Sequence, residues 1–397
     1  MNLRSKFLDK CVILIFIGLI FIPCIGLFIK TNSDEIQSVM NRKPYIFPKI
    51  NIKKIHHTNF TEIENWFGDK VLFARSMGKL WGYINYKLGV SAKPDVTIIG
   101  KDGWLFLGNG HELTIDQFTG KNVPAEDETR LQINAFKYMN KVATQHKVPF
   151  LVIIAPDKQD VYPEYLPRHI HRGEAPTRLD RLMQGLLANN IDFIDLREDE
   201  LRAKNTLGKK YGALYHKADS HWNYLGAYVA YQSIAKYLNL KGIETNKLQF
   251  DFYLGSNKAQ DLAAFIQLTN IEPQTFLPNI TNLKINLQGT DISGVNHDLS
   301  PYDGNDLNII LKAPYQNINK ELKNKQVCLL ISDSFSNALG FYFHNDFYNT
   351  VRIHPDNTDY SLAELIKTYH PNIIIFEKVE RGLLGYANNF MGNPAYI

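Results

Sequence analysis

The sequence predicts an α/β protein built on a doubly wound parallel sheet and preceded by one N-terminal transmembrane helix. Three observations carry this. Beyond residue 125, apolar-periodic helical stretches alternate with short continuous apolar runs, the pattern of strands buried on both faces. The groups able to do chemistry follow those runs or stand at the entry to helices, where such a sheet presents its ligands. Residues 11–29 form an uninterrupted apolar run behind Arg4, Lys6 and Lys10.

Taken in order, that run of about 19 residues is long enough to cross a bilayer, and the basic residues before it place the remainder of the chain outside the cytoplasm. It is longer than the apolar core of a secretory leader, and Gly26-Leu27-Phe28-Ile29 makes a poor cleavage site, so an uncleaved anchor over residues 1–30 is expected. Residues 31–58, polar and irregular with Pro44 and Pro48, read as a tether. Glu62 to Leu88 has an amphipathic helical pattern through Trp66, Phe67, Leu72, Phe73, Leu80 and Trp81. Val96 to Leu107 reads as two strands around a Lys101-Asp102-Gly103 turn.

The alternation then begins. A helix is expected over Glu126–Lys147, a buried strand over Phe150–Ala155, a helix over Thr177–Asn189 and a strand over Ile191–Asp195. A helix starts at Trp222. Strands at Val327–Ile331 and Thr350–Ile353, a helix at Leu362–Tyr369 and a strand at Asn372–Phe376 complete the set. Between about Lys241 and Lys325 the pattern weakens into loops and small strands, an irregular insertion in a domain running from 59 to 397.

Composition excludes several functions. A formal charge of +4, with no dense Lys/Arg block, gives nucleic acid no footprint. Two of the three cysteines lie in the apolar run, and Cys328 falls inside a strand, so neither a disulfide framework nor a cysteine zinc site can be built. The twelve histidines lack ligand spacing, and nothing calls for a metal or cofactor. His56-His57 and His169 with His171 lie in basic loops and read as solvated surface.

Chemistry is concentrated in Tyr215-His216-Lys217-Ala218-Asp219-Ser220-His221-Trp222-Asn223. Asp219 and His221, two residues apart before a helix, can converge so that the carboxylate sets the imidazole tautomer and frees the other nitrogen as a base. Roughly 110 residues on, a buried strand breaks into Ser332-Asp333-Ser334-Phe335-Ser336 and then a helix. Ser334 stands at that junction, where helix N–H groups can meet a developing oxyanion. Ser332 belongs to the strand end and Ser336 to the helix start. Helix capping explains the cluster taken alone; with Asp219 and His221 it reads as a serine acyl-transfer site. Lys158, after the first main strand, and Trp222 are weaker candidates for substrate contact, against the alternatives of a solvated lysine and an indole packed on His221. Glu377 and Arg381 read as a structural ion pair.

Asp219-Ser220-His221-Trp222-Asn223 with Gly226-Ala227 resembles the signature of the AlgJ/AlgX group of alginate O-acetyltransferase-like proteins. Ile99-Gly100-Lys101-Asp102-Gly103-Trp104-Leu105-Phe106, Ala155-Pro156-Asp157-Lys158 with Tyr162-Pro163, Asp261-Leu262, Ser332-Asp333-Ser334-Phe335 and Glu377-Lys378-Val379-Glu380-Arg381 follow in the same order, so the likeness runs from about 60 to 381. It implies an SGNH hydrolase-like α/β/α sandwich with permuted motif order, inner-membrane anchored and periplasmic. It implies work alongside a multi-pass membrane acyltransferase that supplies acetyl groups for a secreted polysaccharide. Carried over by position, Ser334 is the nucleophile, His221 the base and Asp219 its orienting acid. Ser332 replaces the glycine common before Asp-Ser in these hydrolases, and no oxyanion residue is legible. The expected activity is O-acetyl transfer through an acetyl-serine. An extracytoplasmic carbohydrate acetylesterase and a non-catalytic polysaccharide-binding scaffold are the alternatives. A His221–Ser334 contact open to solvent favours an enzyme; a sealed cluster favours a scaffold.

Overall fold

The computed structural model describes residues 3–21, 25, 43–49, 57–71, 74–121, 126–246, 249–257, 259–280, 288–291, 293–298, 314–357 and 359–383. These form two compact units, Met1–Ala92 with Ala263–Thr269, and Lys93–Leu262 with Asn270–Ile397.

The first unit contains helices Leu3–Phe21, His57–Lys70 and Ala74–Leu88. The single amphipathic helix expected over Glu62–Leu88 is therefore two helices. Gly82 lets the second approach the 263–269 segment, because a Cβ there would lie 2.3 Å from the Ile266 carbonyl oxygen. Among the described residues no helix is long and apolar enough to cross a membrane. The helix Leu3–Phe21 holds Arg4, Lys6, Asp9 and Lys10 in its first half, and most of the apolar run beyond Phe21 lies outside the described residues, as does most of the 31–58 tether.

The second unit opens with a hairpin, β1 (Thr97–Ile99) and β2 (Leu105–Leu107), turning through Lys101–Gly103 as expected. Asp102 and Gly103 take φ of 53° and 80° there, a left-handed pair that closes the turn. The main strands are β3 (Phe150–Ala155), β4 (Phe193–Asp195), β10 (Val327–Ser332), β11 (Asn349–Ile353) and β12 (Ile373–Val379). The segment between them adds β5 (Phe252–Ser256) and β6 (Gln274–Pro278), which pair with each other, then β7 (Gln288–Asp291), β8 (Asn296–Asp298) and β9 (Tyr315–Ile318).

The main sheet runs β4-β3-β12-β10-β11-β9-β7-β8. From β4 to β11 every pairing is parallel, and the doubly wound expectation holds there. Beyond β11 the sheet becomes antiparallel, so it is mixed rather than purely parallel. These last strands come from the insertion. They are short and polar, with the sequence period of loops, and their place on the edge of β11 was not readable from pattern.

The continuous apolar runs are explained by two cores, one on each face. Leu151, Ile153, Cys328, Leu330, Ile373 and Ile375 point into the first, which holds residues of helices Tyr224–Leu240 and Ser336–Phe343. Phe150, Val152, Ile154, Leu329, Ile331, Ile374 and Phe376 point into the second, with helices Glu126–Gln145, Arg178–Ala188 and Leu362–Tyr369. Full burial of each such side chain contributes roughly 1.5–3 kcal/mol before chain entropy is subtracted. Capping boxes at Thr177/Asp180 and Ser361/Glu364 start two of the second-face helices where the sequence placed them. β3, β12 and β10 are neighbours, so the segments leaving their carboxyl ends emerge side by side.

Candidate active site

The loop that carries Asp219 and His221 is built by a tight return of the chain. Tyr215 and Trp222 bridge antiparallel, His216 N–H donates to the His221 carbonyl (3.2 Å), and Asn223 N–H donates to the Leu214 carbonyl (2.9 Å). Asn223 then caps the helix Tyr224–Leu240, its side-chain oxygen accepting from the N–H groups of Leu225 and Gly226. Asp219 and His221 sit at the tip of this return. Lys158, only 2% exposed, fixes the tip from behind. Its ammonium donates to the carbonyls of His216 (3.0 Å), Lys217 (3.2 Å) and Asp219 (2.7 Å). The solvated alternative for Lys158 does not hold: the side chain is covered by protein and holds the loop. Burial pushes its pKa down to about 8 against the pull of Asp261, Asp219 and Glu272.

The turn that carries Ser334 leaves β10. Asp333 ties it down, one carboxylate oxygen accepting from Phe335 N–H (2.9 Å) and the other from Val379 N–H at the end of β12 (2.9 Å). Ser332 lies in β10, and its hydroxyl donates to Ser336 Oγ at 2.6 Å. Ser336 begins the helix and donates to the Asp333 carbonyl. Both flanking serines are thereby buried and spent on structure. Ser334, half-buried at the junction, is left to face the imidazole.

The two pieces meet. Ser334 Oγ lies 2.7 Å from His221 Nε2, and His221 Nδ1 lies 2.7 Å from Asp219 Oδ1. With Nδ1–H donating to the carboxylate, Nε2 accepts from the serine hydroxyl, the tautomer a general base needs. Asp219 also accepts from the backbone N–H of His221 (3.1 Å) and of Asp261 (2.8 Å). Burial alone would raise its carboxyl, but the His221 hydrogen bond and charge, His216 and the Asp261 N–H overcome this and hold it well below the usual carboxylate range. For His221 burial works downward; Asp219 and Asp261 outweigh it, with Arg381 opposing, and its pKa ends above the ordinary value. The His221 side chain is 21% exposed and that of Asp219 only 2%. The imidazole reaches solvent while the carboxylate does not.

Trp222 is 2% exposed, its Nε1–H donating to the Phe335 carbonyl at 2.9 Å. The Phe335 ring packs edge-on against Trp222 and tilted against His221, at 5.1 and 4.9 Å between centroids. The indole thus clasps the His221 loop to the Ser334 turn and, like Lys158, is covered by protein. Arg381 pairs with Asp157 rather than with Glu377, Nη1 bonding Oδ1 and the backbone N–H donating to Oδ2 (3.1 Å). Glu377 is fully buried within β12, and neither carboxylate oxygen has a hydrogen-bond partner among the described residues. Extension of β12 three residues past the expected Phe376, to Val379, is what carries Glu377 inside. His57, His169 and His171 are exposed, as expected of solvated surface.

Asp261 was not singled out for a catalytic role. Its carboxylate accepts from Ser220 N–H (2.7 Å) and Ser220 Oγ–H (2.5 Å), and its own N–H supports Asp219. Burial and the Asp219 charge raise its pKa to about 6. Its place in a weakly patterned insertion gave no period to read; only its pairing with Leu262 in the resemblance pointed to it. One ligand atom from each of Asp219, His221 and Asp261 lies within 4.8 Å of the others, a set able to hold a cation. In the geometry present, the carboxylates and Nδ1 are engaged with one another, with Ser220 and with backbone N–H groups.

Residues 97–291 match the family model described as the SGNH hydrolase-like domain of acetyltransferase AlgX. That stretch contains Asp219, His221 and Asp261 and ends before Ser334. The chain is 28% identical over 252 residues to the probable alginate O-acetylase AlgJ of Pseudomonas aeruginosa, covering 58% of each protein. It is 24% identical over 192 residues to the corresponding Pseudomonas putida protein, covering 48% of this chain and 46% of that one. The chain thus spans about half the length of these relatives. Among solved structures, Bacillus cereus PatB1 superposes with a TM-score of 0.54 at 17% identity, covering 74% of this chain and 99% of PatB1, a likeness of fold.

Proposed function

From the match of residues 97–291 to the SGNH hydrolase-like domain model of acetyltransferase AlgX and the similarity of the chain to AlgJ, we propose that this protein is a serine-dependent O-acetyltransferase acting on a secreted polysaccharide. The observation that carries the reading is the continuous hydrogen-bond line Asp219–His221–Ser334, with its base and nucleophile both reachable from solvent. A scaffold would have no need to keep a polarised imidazole at the surface.

Ser334 Oγ attacks the carbonyl carbon of an acetyl donor while His221 Nε2 takes its proton. The tetrahedral intermediate collapses, the bond to the donor's oxygen breaks, and the imidazolium returns the proton to that leaving group. A sugar hydroxyl then enters, gives its proton to Nε2 and attacks the acetyl-serine, and Ser334 regains a proton as the acetyl ester leaves. Asp219 stabilises the imidazolium in both halves. The donor, in this reading, is a multi-pass membrane acyltransferase. Residues 1–30 anchor the chain in the inner membrane, 31–58 tether it, and 59–397, interrupted by the 241–325 insertion, work in the periplasm. No cofactor enters any step.

Mass spectrometry of the full-length protein treated with 4-nitrophenyl acetate tests the assignment. Acetyl label is expected on the Ser334 peptide, to persist in Ser332→Ala and Ser336→Ala, and to vanish in Ser334→Ala along with polysaccharide acetylation in cells. Label that survives Ser334→Ala and disappears with a neighbouring serine would place the nucleophile one turn position away.

A further inference from the structure

A tetrahedral oxyanion formed on Ser334 needs donors, and the nucleophile turn supplies few. Phe335 N–H is spent on the Asp333 carboxylate, Ser336 N–H on the Asp333 carbonyl (3.2 Å) and Asn337 N–H on the Ser334 carbonyl (3.1 Å). Only the N–H of Ser334 itself makes no hydrogen bond to a described residue. One neutral donor is a poor match for a full negative charge.

Arg381 lies beside the turn that carries Ser334. It follows β12, the strand paired directly with β10, with Ser332 opposite Glu377. Its guanidinium carbon lies 5.3 Å from the centre of the Phe335 ring, the residue next to Ser334, and that ring in turn lies against His221. Asp157, 3% exposed, grips it through Nη1 and through the backbone N–H, so the fork is oriented before any substrate arrives. Nε and Nη2 make no hydrogen bond to any described residue, and the side chain keeps 11% of its surface. The cation also sits close enough to act on His221 and Asp261. A purely structural ion pair would be expected to spend both faces of its fork on protein; this one spends one.

We propose that Arg381, held by Asp157 and backed by the Phe335 ring, is the missing oxyanion donor, pairing with the Ser334 N–H on the oxygen of the tetrahedral intermediate. As the Oγ–carbon bond forms and the serine proton passes to His221 Nε2, the carbonyl π pair moves onto that oxygen, and the unspent guanidinium N–H groups receive it. When the pair returns to expel the leaving group, the charge on the fork is released. The interaction is made fully only in the transition state and so raises kcat rather than lowering KM.

This inference rests on Ser334 being the nucleophile, and the test separates the two. Turnover of 4-nitrophenyl acetate and inhibition by phenylboronic acid, which forms a tetrahedral adduct on an active serine, are measured for the full-length protein and for Arg381→Gln, Arg381→Lys and Ser334→Ala. In Arg381→Gln kcat/KM should fall about 100-fold with KM changed less than about threefold, and boronate inhibition should weaken by a similar factor. Arg381→Lys retains the charge against Asp157 and should lose about tenfold in both; it decides the question if the glutamine variant fails to fold. Loss of turnover without loss of boronate affinity, or near-full activity in either variant, overturns the role of Arg381 alone. Ester turnover that survives Ser334→Ala overturns the nucleophile assignment and this inference with it.

Discussion

Replacing Asp219 by asparagine puts the site's electrostatics to the most direct test. The carboxylate takes three donors: His221 Nδ1–H and N–H on Oδ1, and Asp261 N–H on Oδ2. An asparagine amide placed toward Oδ1 would face two donors, toward Oδ2 only one, so it turns its NH₂ to Asp261 and keeps the imidazole tautomer. What it cannot keep is the charge. A unit charge about 4 Å from the imidazolium is worth about 4 kcal/mol at the effective dielectric of a partly buried site, and that stabilisation exists only once His221 is protonated in the transition state. Acylation of Ser334 by 4-nitrophenyl acetate should therefore slow about 10³-fold. The same charge holds the His221 pKa up, so the acidic limb of the pH–rate profile should move to lower pH in the variant. A raised imidazole contributes stability that is whole below its unfolded value of about 6.5 and is lost as pH climbs through the folded value. The variant should thus lose more in Tm at pH 6 than at pH 9. Acylation within tenfold of the unsubstituted protein, or an acidic limb that stays in place, would refute the orienting role.

Other perturbations reach the scaffold around the site. Lys158→Met leaves three loop carbonyls without their donor and should cost about 2–4 kcal/mol in urea unfolding, with slowed acylation; unchanged stability would mean the loop holds itself. Burial pushes the Glu377 carboxyl well above its ordinary range, so the folded protein keeps a proton that the unfolded chain releases above about pH 4.5. Stability then falls by about 1.4 kcal/mol per pH unit up to the folded value. Glu377→Gln should raise Tm at pH 8 while leaving it unchanged at pH 5; an equal shift at both would show the carboxyl ionised throughout. Membrane-extracted protein should yield the intact N-terminus, whereas sequencing that starts near residue 30 would show a cleaved leader.

The parallel part of the fold was legible because both faces of β3, β10 and β12 are buried, which leaves apolar runs too dense to misread. The Asp219–His221 pair and the Ser334 junction were legible because local spacing alone brings each to a chain reversal. What escaped reading depends on distance along the chain. Arg381 and Asp157 are 224 residues apart and meet only because β3 and β12 pair, so the nearer Glu377 looked the better partner. Lys158 carries no signal of burial, since its neighbours in sequence say nothing of the three carbonyls that converge on it. The edge strands β7 to β9 are polar and short, and only the completed sheet gives them a side to join.

The strand order has a consequence for how the protein comes into being. β12, the last strand among the described residues, lies between β3 and β10. Until it is synthesised, the half bearing Asp157 and Lys158 has no ladder to the half bearing Ser334. A nascent chain halted before Ile373 would hold every member of the Asp219–His221–Ser334 line yet have no rigid frame to align them. Such a long-range insertion closes slowly and late. The frame around that line thus waits on β12, which is made after every one of its residues.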